Sequence, residues 1–367
     1  MSAYNADVVV VGASACGSLA AKAAASNGAK TLLLEEDPTP GKFHKCSGLY
    51  SKRGMQILGV DYNPFLVNEI KGANIRAGKH LFTISRKETI ALVLNRQELD
   101  EQLCSDAVAS GAELKLNQRI TRLTNNGGVG SVKDEFSFRY LIGADGVNST
   151  VAYLYKFPPI GNGNIAMCYE AEYDNCNIAE KDKVDVFLDA KLFPGFFGWI
   201  IPSGEKKARI GFGTTKHSAV KSGFEKFFQL PAVKATRGSD AVKLRDFWHS
   251  IPLRVRKKTE MENIMLVGDA AGETKSTSGG GVIFGGQCAQ IAGEIAARNS
   301  SGNGEKISYE HAWRKKFGSV LKSHRVVRKV FDALPSPLHK LTVLGFDKLW
   351  VNKLIQKFGD MDYITAL

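Results

Sequence analysis

Gly12-Ala13-Ser14-Ala15-Cys16-Gly17 follows a run of four valines, and Glu35 stands directly after a second apolar run at 31–34. A glycine turn between a strand and a helix presents unpaired backbone N–H groups and a positive dipole end, which together hold a pyrophosphate. Gly12 allows the sharp turn, and Gly17 lets the helix lie close to the strand. The usual middle glycine of such a turn is Ser14, whose small side chain still leaves the backbone open to phosphate. Glu35 supplies the second half of the pattern. A carboxylate at the end of the second strand accepts both hydroxyls of a ribose, and it disfavours a 2′-phosphorylated one. The turn alone also fits a plain α/β crossover; the glutamate favours a dinucleotide.

Three further segments carry polar groups at element ends. Arg96 opens a helical stretch in Leu94-Asn95-Arg96-Gln97-Glu98-Leu99-Asp100. Asp145-Gly146 ends a strand at 140–146. Gly268-Asp269-Ala270-Ala271-Gly272 follows another strand and leads to Ser278-Gly279-Gly280-Gly281-Val282 at a helix start. Taken singly, these read as a solvated helix-start charge and ordinary Asp-Gly turns. In this order, after a dinucleotide turn, they form one pattern.

The elements that must position these residues follow from periodicity. Residues 7–11 read as a buried parallel strand, 18–27 as an alanine-rich helix and 31–34 as the next strand, the size of one βαβ unit. A Pro/Gly/Lys loop covers 37–50. The stretch 95–110 has a helical period with Leu99, Leu103 and Val108 inward. Residues 153–260 alternate and are rich in aromatics, which predicts an antiparallel sheet flooring a pocket. A strand at 264–269 and a helix at 282–297 follow. Two basic amphipathic stretches, 306–334 and 337–358, close the chain. In the first, Trp313, Phe317, Val320, Leu321, Val327 and Phe331 share one stripe.

Composition narrows the class. Hydrophobic residues at 44% and charged ones at 23% describe a folded globular protein. No stretch reaches the roughly 18–20 apolar residues of a membrane-spanning helix, and the N-terminal residues lack the basic start of a signal peptide. The six cysteines contain no CxxC pair, which argues against zinc or an iron–sulfur cluster and fits a reducing cytoplasm. A net charge of +12 serves solubility or attraction to an anionic surface, a membrane or an acidic protein. No nucleic-acid-binding motif is present.

The combined pattern resembles the hydroxylase-like class of FAD-dependent oxidoreductases and, within it, the geranylgeranyl reductase family, archaeal digeranylgeranylglycerophospholipid reductases above all. Beyond the segments above, the likeness rests on Lys45-Cys46-Ser47-Gly48-Leu49, on Gly195-Phe196-Phe197-Gly198-Trp199-Ile200-Ile201-Pro202-Ser203-Gly204, and on Tyr309-Glu310-His311-Ala312-Trp313-Arg314. The Gly268–Gly281 stretch is its most specific part. The aromatic motif ends in serine after Pro202 where the family commonly has lysine.

The resemblance implies an α/β fold: a Rossmann-like FAD-binding domain (1–50, 91–152 and 263–300) interleaved with an antiparallel-sheet substrate domain (51–90 and 153–262), and a helical C-terminal region (301–367). It implies that Gly12, Ser14, Ala15, Gly17 and Glu35 hold the AMP half of FAD, while Arg96 and the backbone near Ile120 support the pyrophosphate and adenine side. Asp269 bonds a ribityl hydroxyl. Cys46, Ser47 and Leu49 line the flavin, and Gly281 and Val282 sit against the isoalloxazine edge. That last placement has a physical reason: reduction collects negative charge at N1, which a helix N-terminus stabilises. Phe197, Trp199 and Pro202 are candidate substrate contacts, and Phe187, Phe193, Phe196 and Phe212 offer an apolar surface to a prenyl chain.

The implied reaction is FAD-dependent hydrogenation of C=C bonds in geranylgeranyl chains of archaeal-type lipid precursors, by a cytoplasmic enzyme peripherally associated with the membrane surface. Its electron donor is open between ferredoxin and NAD(P)H. Cys46, with a basic neighbour and a following Ser-Gly, is the candidate catalytic residue; Cys104 and Cys288, in apolar periodic stretches, read as inert. The alternatives are a flavin-dependent monooxygenase or halogenase of the same fold, and a non-catalytic lipid-binding flavoprotein.

Overall fold

A computed structural model of the chain describes residues 2–42, 45–302, 304–333 and 362. The chain divides into two compact units, 1–44 with 96–160 and 252–322, and 45–95 with 161–251 and 323–367.

The first unit is built on the valine run. The Ser2–Val11 strand pairs in parallel with Asp134–Gly143 on one side and Thr31–Leu34 on the other. Ile264–Leu266 and Glu113–Lys115 extend the parallel sheet, and short antiparallel strands close its edge. Val8, Val9 and Val10 are fully buried because both faces of a parallel sheet are covered. Around them, Val11, Leu32, Leu34, Phe136, Leu141 and Leu266 form a continuous core.

On one face lies the Ala15–Ser26 helix, flanked by Arg96–Ala109 and Val282–Ser300. Alanine and glycine set the approach of these helices. A Cβ on Gly293 would overlap the Ala20 carbonyl oxygen, and Gly285 lies against Gly268 and the Cys16 sulfur. In the Arg96–Ala109 helix the buried face is Leu99, Asp100, Leu103, Cys104 and Ala107. Val108, expected inward, is exposed, since it falls one position past that face in the last turn.

The second unit carries a seven-stranded sheet in the order Val242–Pro252, Ile165–Asp174, Ala208–Thr214, Gly198–Pro202, Lys183–Phe187, Gly72–Ala77 and His80–Ser85. From Ile165–Asp174 to His80–Ser85 the neighbouring strands pair antiparallel, except Lys183–Phe187 with Gly72–Ala77, which is parallel. A separate three-stranded sheet joins Leu49–Ser51, Ala91–Leu94 and Leu66–Ile70. One face of the large sheet is a phenylalanine core of Phe187, Phe193, Phe212, Phe227 and Phe228.

The last described helix, Tyr309–Ala333, begins in the first unit. There Trp313 donates its indole N–H to Thr259 Oγ1 at 2.8 Å, and Phe317, Val320 and Leu321 are buried. Val327 departs from the expected stripe: it is exposed, and the buried flank continues through His324 and Arg328. The second amphipathic stretch, 337–358, lies outside the described residues.

Candidate functional site

In the first unit the turn is formed by Gly12 at φ +99°, a region open to glycine. A Cβ there would stand 2.6 Å from the Ala144 carbonyl oxygen, and one on Gly17 would overlap the Gly12 carbonyl oxygen. The helix starts at Ala15, three residues earlier than its periodicity predicts, so Gly17 lies inside the first turn. Ser14 caps that helix at φ −75° and ψ −176°, extended backbone that any residue adopts, with its side chain exposed. A glycine is therefore not needed at this position.

Two buried carboxylates hold the turn. Glu35 accepts the Ala13 N–H at 2.7 Å and the Asp37 N–H at 3.0 Å; burial raises its pKa, and these two bonds oppose the rise. Asp100 accepts the Ala15 N–H and pairs with Arg96 Nε at 2.9 Å. Its burial raises its pKa too, with Arg96 acting against it. Sequence reasoning named Arg96 and left Asp100 unassigned, although the four-residue spacing on one helix was its signal. The Gln118 N–H bonds to the Glu35 carbonyl oxygen at 2.8 Å, which brings the segment leading to Ile120 beside the end of the second strand; the Ile120 side chain itself is core.

Asp269 lies in the single turn Gly268–Ala270 after the Ile264–Leu266 strand. Burial pushes its carboxyl up to about 6, and the Arg96 charge pulls the other way. Gly281 caps the Val282–Ser300 helix beside it: a Cβ at Gly281 would stand 2.9 Å from Asp269 Oδ1 and 2.9 Å from Thr274 Cγ2. Behind this turn lies Glu273, fully buried, which accepts the Gly268 N–H at 2.9 Å and the Tyr309 hydroxyl at 2.7 Å. Burial pushes its pKa up to about 8. Thus Gly12, Ser14, Ala15, Gly17, Glu35, Arg96, Asp269, Gly281 and Val282 all belong to the first unit. Cys104, with its thiol pushed up to about 11 by burial, and Cys288, also raised well above its ordinary value by burial, suit packing and not reactivity.

Cys46, Ser47, Leu49, Phe197, Trp199 and Pro202 belong to the second unit. The Cys46 sulfur is 3.6 Å from the Tyr50 hydroxyl and accepts the Gly48 N–H at 3.4 Å. Leu49 opens the strand that pairs with Val93. Opposite the phenylalanine core, the large sheet's other face carries Cys168, Glu170 and Glu172, with Arg209, Gly211 and Gly213 in register beside them. Trp199 pairs with Gly211, and its indole covers the place of a Gly211 Cβ. The Phe196 ring does the same at Gly213, with Phe197 stacked on it at 4.3 Å. Pro202 and Ile200 alternate to the core face, away from Trp199. Phe187, Phe193 and Phe212, expected to face a prenyl chain, are instead core packed on Phe227. Strand alternation accounts for Phe187 and Phe212, while Phe193 reaches the core from the segment between two strands.

Comparison with known proteins gives the cofactor. A family model described as an FAD binding domain matches residues 5–304. The digeranylgeranylglycerophospholipid reductase of Methanocaldococcus jannaschii is 30% identical over 349 residues, covering 89% of this chain and 87% of that protein. The chain is a flavoprotein of the geranylgeranyl reductase family. Among solved structures, a geranylgeranyl bacteriochlorophyll reductase-like protein from Thermoplasma acidophilum superposes with a TM-score of 0.84 at 21% identity, over 99% of this chain and 95% of that one. A flavin-dependent brominase gives 0.75 at 16% identity, over 98% and 94%; at these identities both show the fold. The first unit of this reductase-family chain fits FAD: it has a glycine cradle that a Cβ would fill, a helix N-terminus facing it, and a carboxylate next to a glycine-capped second helix.

Proposed function

We propose that this flavoprotein reduces C=C bonds in geranylgeranyl chains of archaeal-type lipid precursors. The observation that carries the reading is its 30% identity to a digeranylgeranylglycerophospholipid reductase along nearly the whole of both chains. In its reduced form FAD supplies the hydride. Glu35, Arg96 and the Gly12–Gly17 turn bind the adenosine and pyrophosphate half, and Asp269 takes a ribityl hydroxyl. Gly281 and Val282 present backbone N–H groups toward the ring, where a positive helix end stabilises charge on reduction.

The rings of Trp199, Phe196 and Phe197, packed over Gly211 and Gly213, are the apolar surface against which a prenyl chain would lie. Cys46 and Ser47 act from the loop preceding Leu49. A ferredoxin-like carrier or NAD(P)H supplies electrons, and the basic surface brings the enzyme to the membrane face where the lipid resides. An unactivated alkene has no carbonyl to polarise, so the protein must position a proton as well as exclude water.

Anaerobic incubation with digeranylgeranylglycerophospholipid and dithionite tests this. The product should gain two hydrogens for each bond reduced, read by mass spectrometry. Lipid of unchanged mass beside fully reduced flavoprotein would overturn the reading.

A further inference from the structure

Glu170 and Glu172 lie two residues apart on the Ile165–Asp174 strand and share a face, yet their surroundings drive them apart. Glu172 takes both nearby guanidinium groups, Arg209 Nε at 3.2 Å and Arg245 Nε at 2.7 Å, and its pKa is lowered: those charges and bonds outweigh the burial that opposes them. Arg209 also donates from Nη1 to the carbonyl oxygens of Ser47, at 2.6 Å, and Leu94. Glu170 is 1% exposed. Burial raises its pKa, against the Ser47 and Trp199 hydrogen bonds and the charges of Arg209 and Arg245, and its charge would meet the buried Cys168 thiol on the same strand. Two neighbouring carboxyls whose pKa values are pushed in opposite directions are the usual arrangement of an acid and its ionised partner.

The hydrogen bonds fix which Glu170 oxygen would carry a proton. Its Oε2 accepts both the Ser47 hydroxyl, in a short contact, and the Trp199 indole N–H at 2.8 Å. An oxygen that already accepts two donors leaves the acid proton to the other one. Oε1 is buried and has no partner among the described residues. A buried O–H without an acceptor is costly unless something else fills the place. The strand position paired with Glu170 is Gly211, which contributes no side chain, and the Trp199 indole covers its place.

We propose that Glu170 is the proton donor of the alkene reduction, presenting Oε1–H to the prenyl chain beside Trp199. The proposal rests on the reductase reading. One alkene carbon takes hydride, with its electron pair, from reduced FAD, and the other takes the Glu170 proton. The π bond is lost, two C–H bonds form, FAD is left oxidised, and the Glu170 carboxylate recovers a proton from water. Ser47 and Trp199, both singled out in the sequence, become positioning residues that fix which oxygen carries the proton.

The test uses the full-length FAD-loaded protein, reduced beforehand and mixed anaerobically with digeranylgeranylglycerophospholipid, with flavin reoxidation followed in a single turnover. Glu170→Gln should retain FAD yet slow reoxidation by at least about a hundredfold; Glu170→Asp should recover part of the loss. The wild-type rate should fall as pH rises through the Glu170 pKa, because the protonated form is the active one. That limb should be absent from Glu170→Gln and persist in Cys46→Ser. A wild-type rate in Glu170→Gln, or a limb lost with Cys46 and kept without Glu170, overturns the proposal. Independently of turnover, the infrared difference between lipid-free wild type and Glu170→Gln at neutral pH should contain the carbonyl band of a protonated carboxyl. A carboxylate band in its place also overturns it. Wild type that leaves the lipid unreduced while showing the protonated band would defeat the reductase reading and not the protonation of Glu170.

Discussion

Asp269 and Glu273 are separated by one turn of chain and do different things. Asp269 is proposed to accept a ribityl hydroxyl, so Asp269→Ala should weaken FAD retention at least about tenfold, the loss of one charge-assisted hydrogen bond. Equilibrium dialysis or flavin fluorescence during dilution reads it, and undiminished affinity would remove Asp269 from the site. Glu273 instead supports the turn, through the Gly268 N–H and the Tyr309 hydroxyl. Its pKa is raised from 4.5 to about 8 in the folded chain by burial. Between those values the folded state keeps a proton that the unfolded state has lost, so stability falls as pH rises through this window. Thermal melts of the apoprotein should show that slope, on the order of a few kcal/mol across the window. Glu273→Gln should flatten it; an unchanged slope would assign the dependence elsewhere. Neither this acid nor Glu170 was legible in the sequence. A glutamate in a polar loop or on an alternating strand reads as surface charge, and the partners that bury these two come from 36 and 123 residues away. Glu35 was legible because its place at a strand end, after a glycine turn, is a short-range pattern.

At the scale of elements, the first helix depends on one missing side chain. Gly17→Ala would set a methyl against the Gly12 carbonyl and 3.2 Å from the Ala144 Cβ. Relief requires the helix to move off the strand, at a cost of about 1–3 kcal/mol and of the phosphate cradle. The variant should purify with little FAD and melt lower, while Ser14→Gly, at an exposed extended position, should retain wild-type FAD content. Equal flavin occupancy in all three proteins would show that the turn tolerates displacement. The valine strand, this helix and the next strand could be read from local period and glycine spacing. The start of the helix could not, because alanine-rich periodicity does not mark which residue caps it. In the second unit, alternation predicted the antiparallel sheet over 153–260. Gly72–Ala77 joins it by pairing with Lys183–Phe187, and no local signal encodes so distant a partner. The same alternation decides that Trp199 and Pro202 face opposite ways, which follows from period two once the strand boundaries are fixed.

The whole molecule carries a net charge of +12, and no described helix is long and apolar enough to cross a membrane. A lipid substrate must nevertheless be met at a surface. Near the end of the Tyr309–Ala333 helix, Val326, Val327 and Val330 are exposed, in company with exposed Lys322 and Lys329. Apolar and basic groups on one outer face suit shallow contact with anionic lipid, where each cation near the surface contributes about 1 kcal/mol. The stretch 337–358, outside the described residues, adds Lys340, Lys348, Lys353 and Lys357 among leucines, Phe346 and Trp350. The protein should therefore sediment with vesicles containing anionic phospholipid, less so with neutral ones, and less again as salt screens the charge. Deleting the residues after 336 should reduce sedimentation and leave flavin content intact, and Val326→Ser with Val330→Ser should weaken what remains. If the truncated protein binds anionic vesicles as well as the full chain does, the C-terminal segment is not the anchor, and the positive charge acts from elsewhere on the surface.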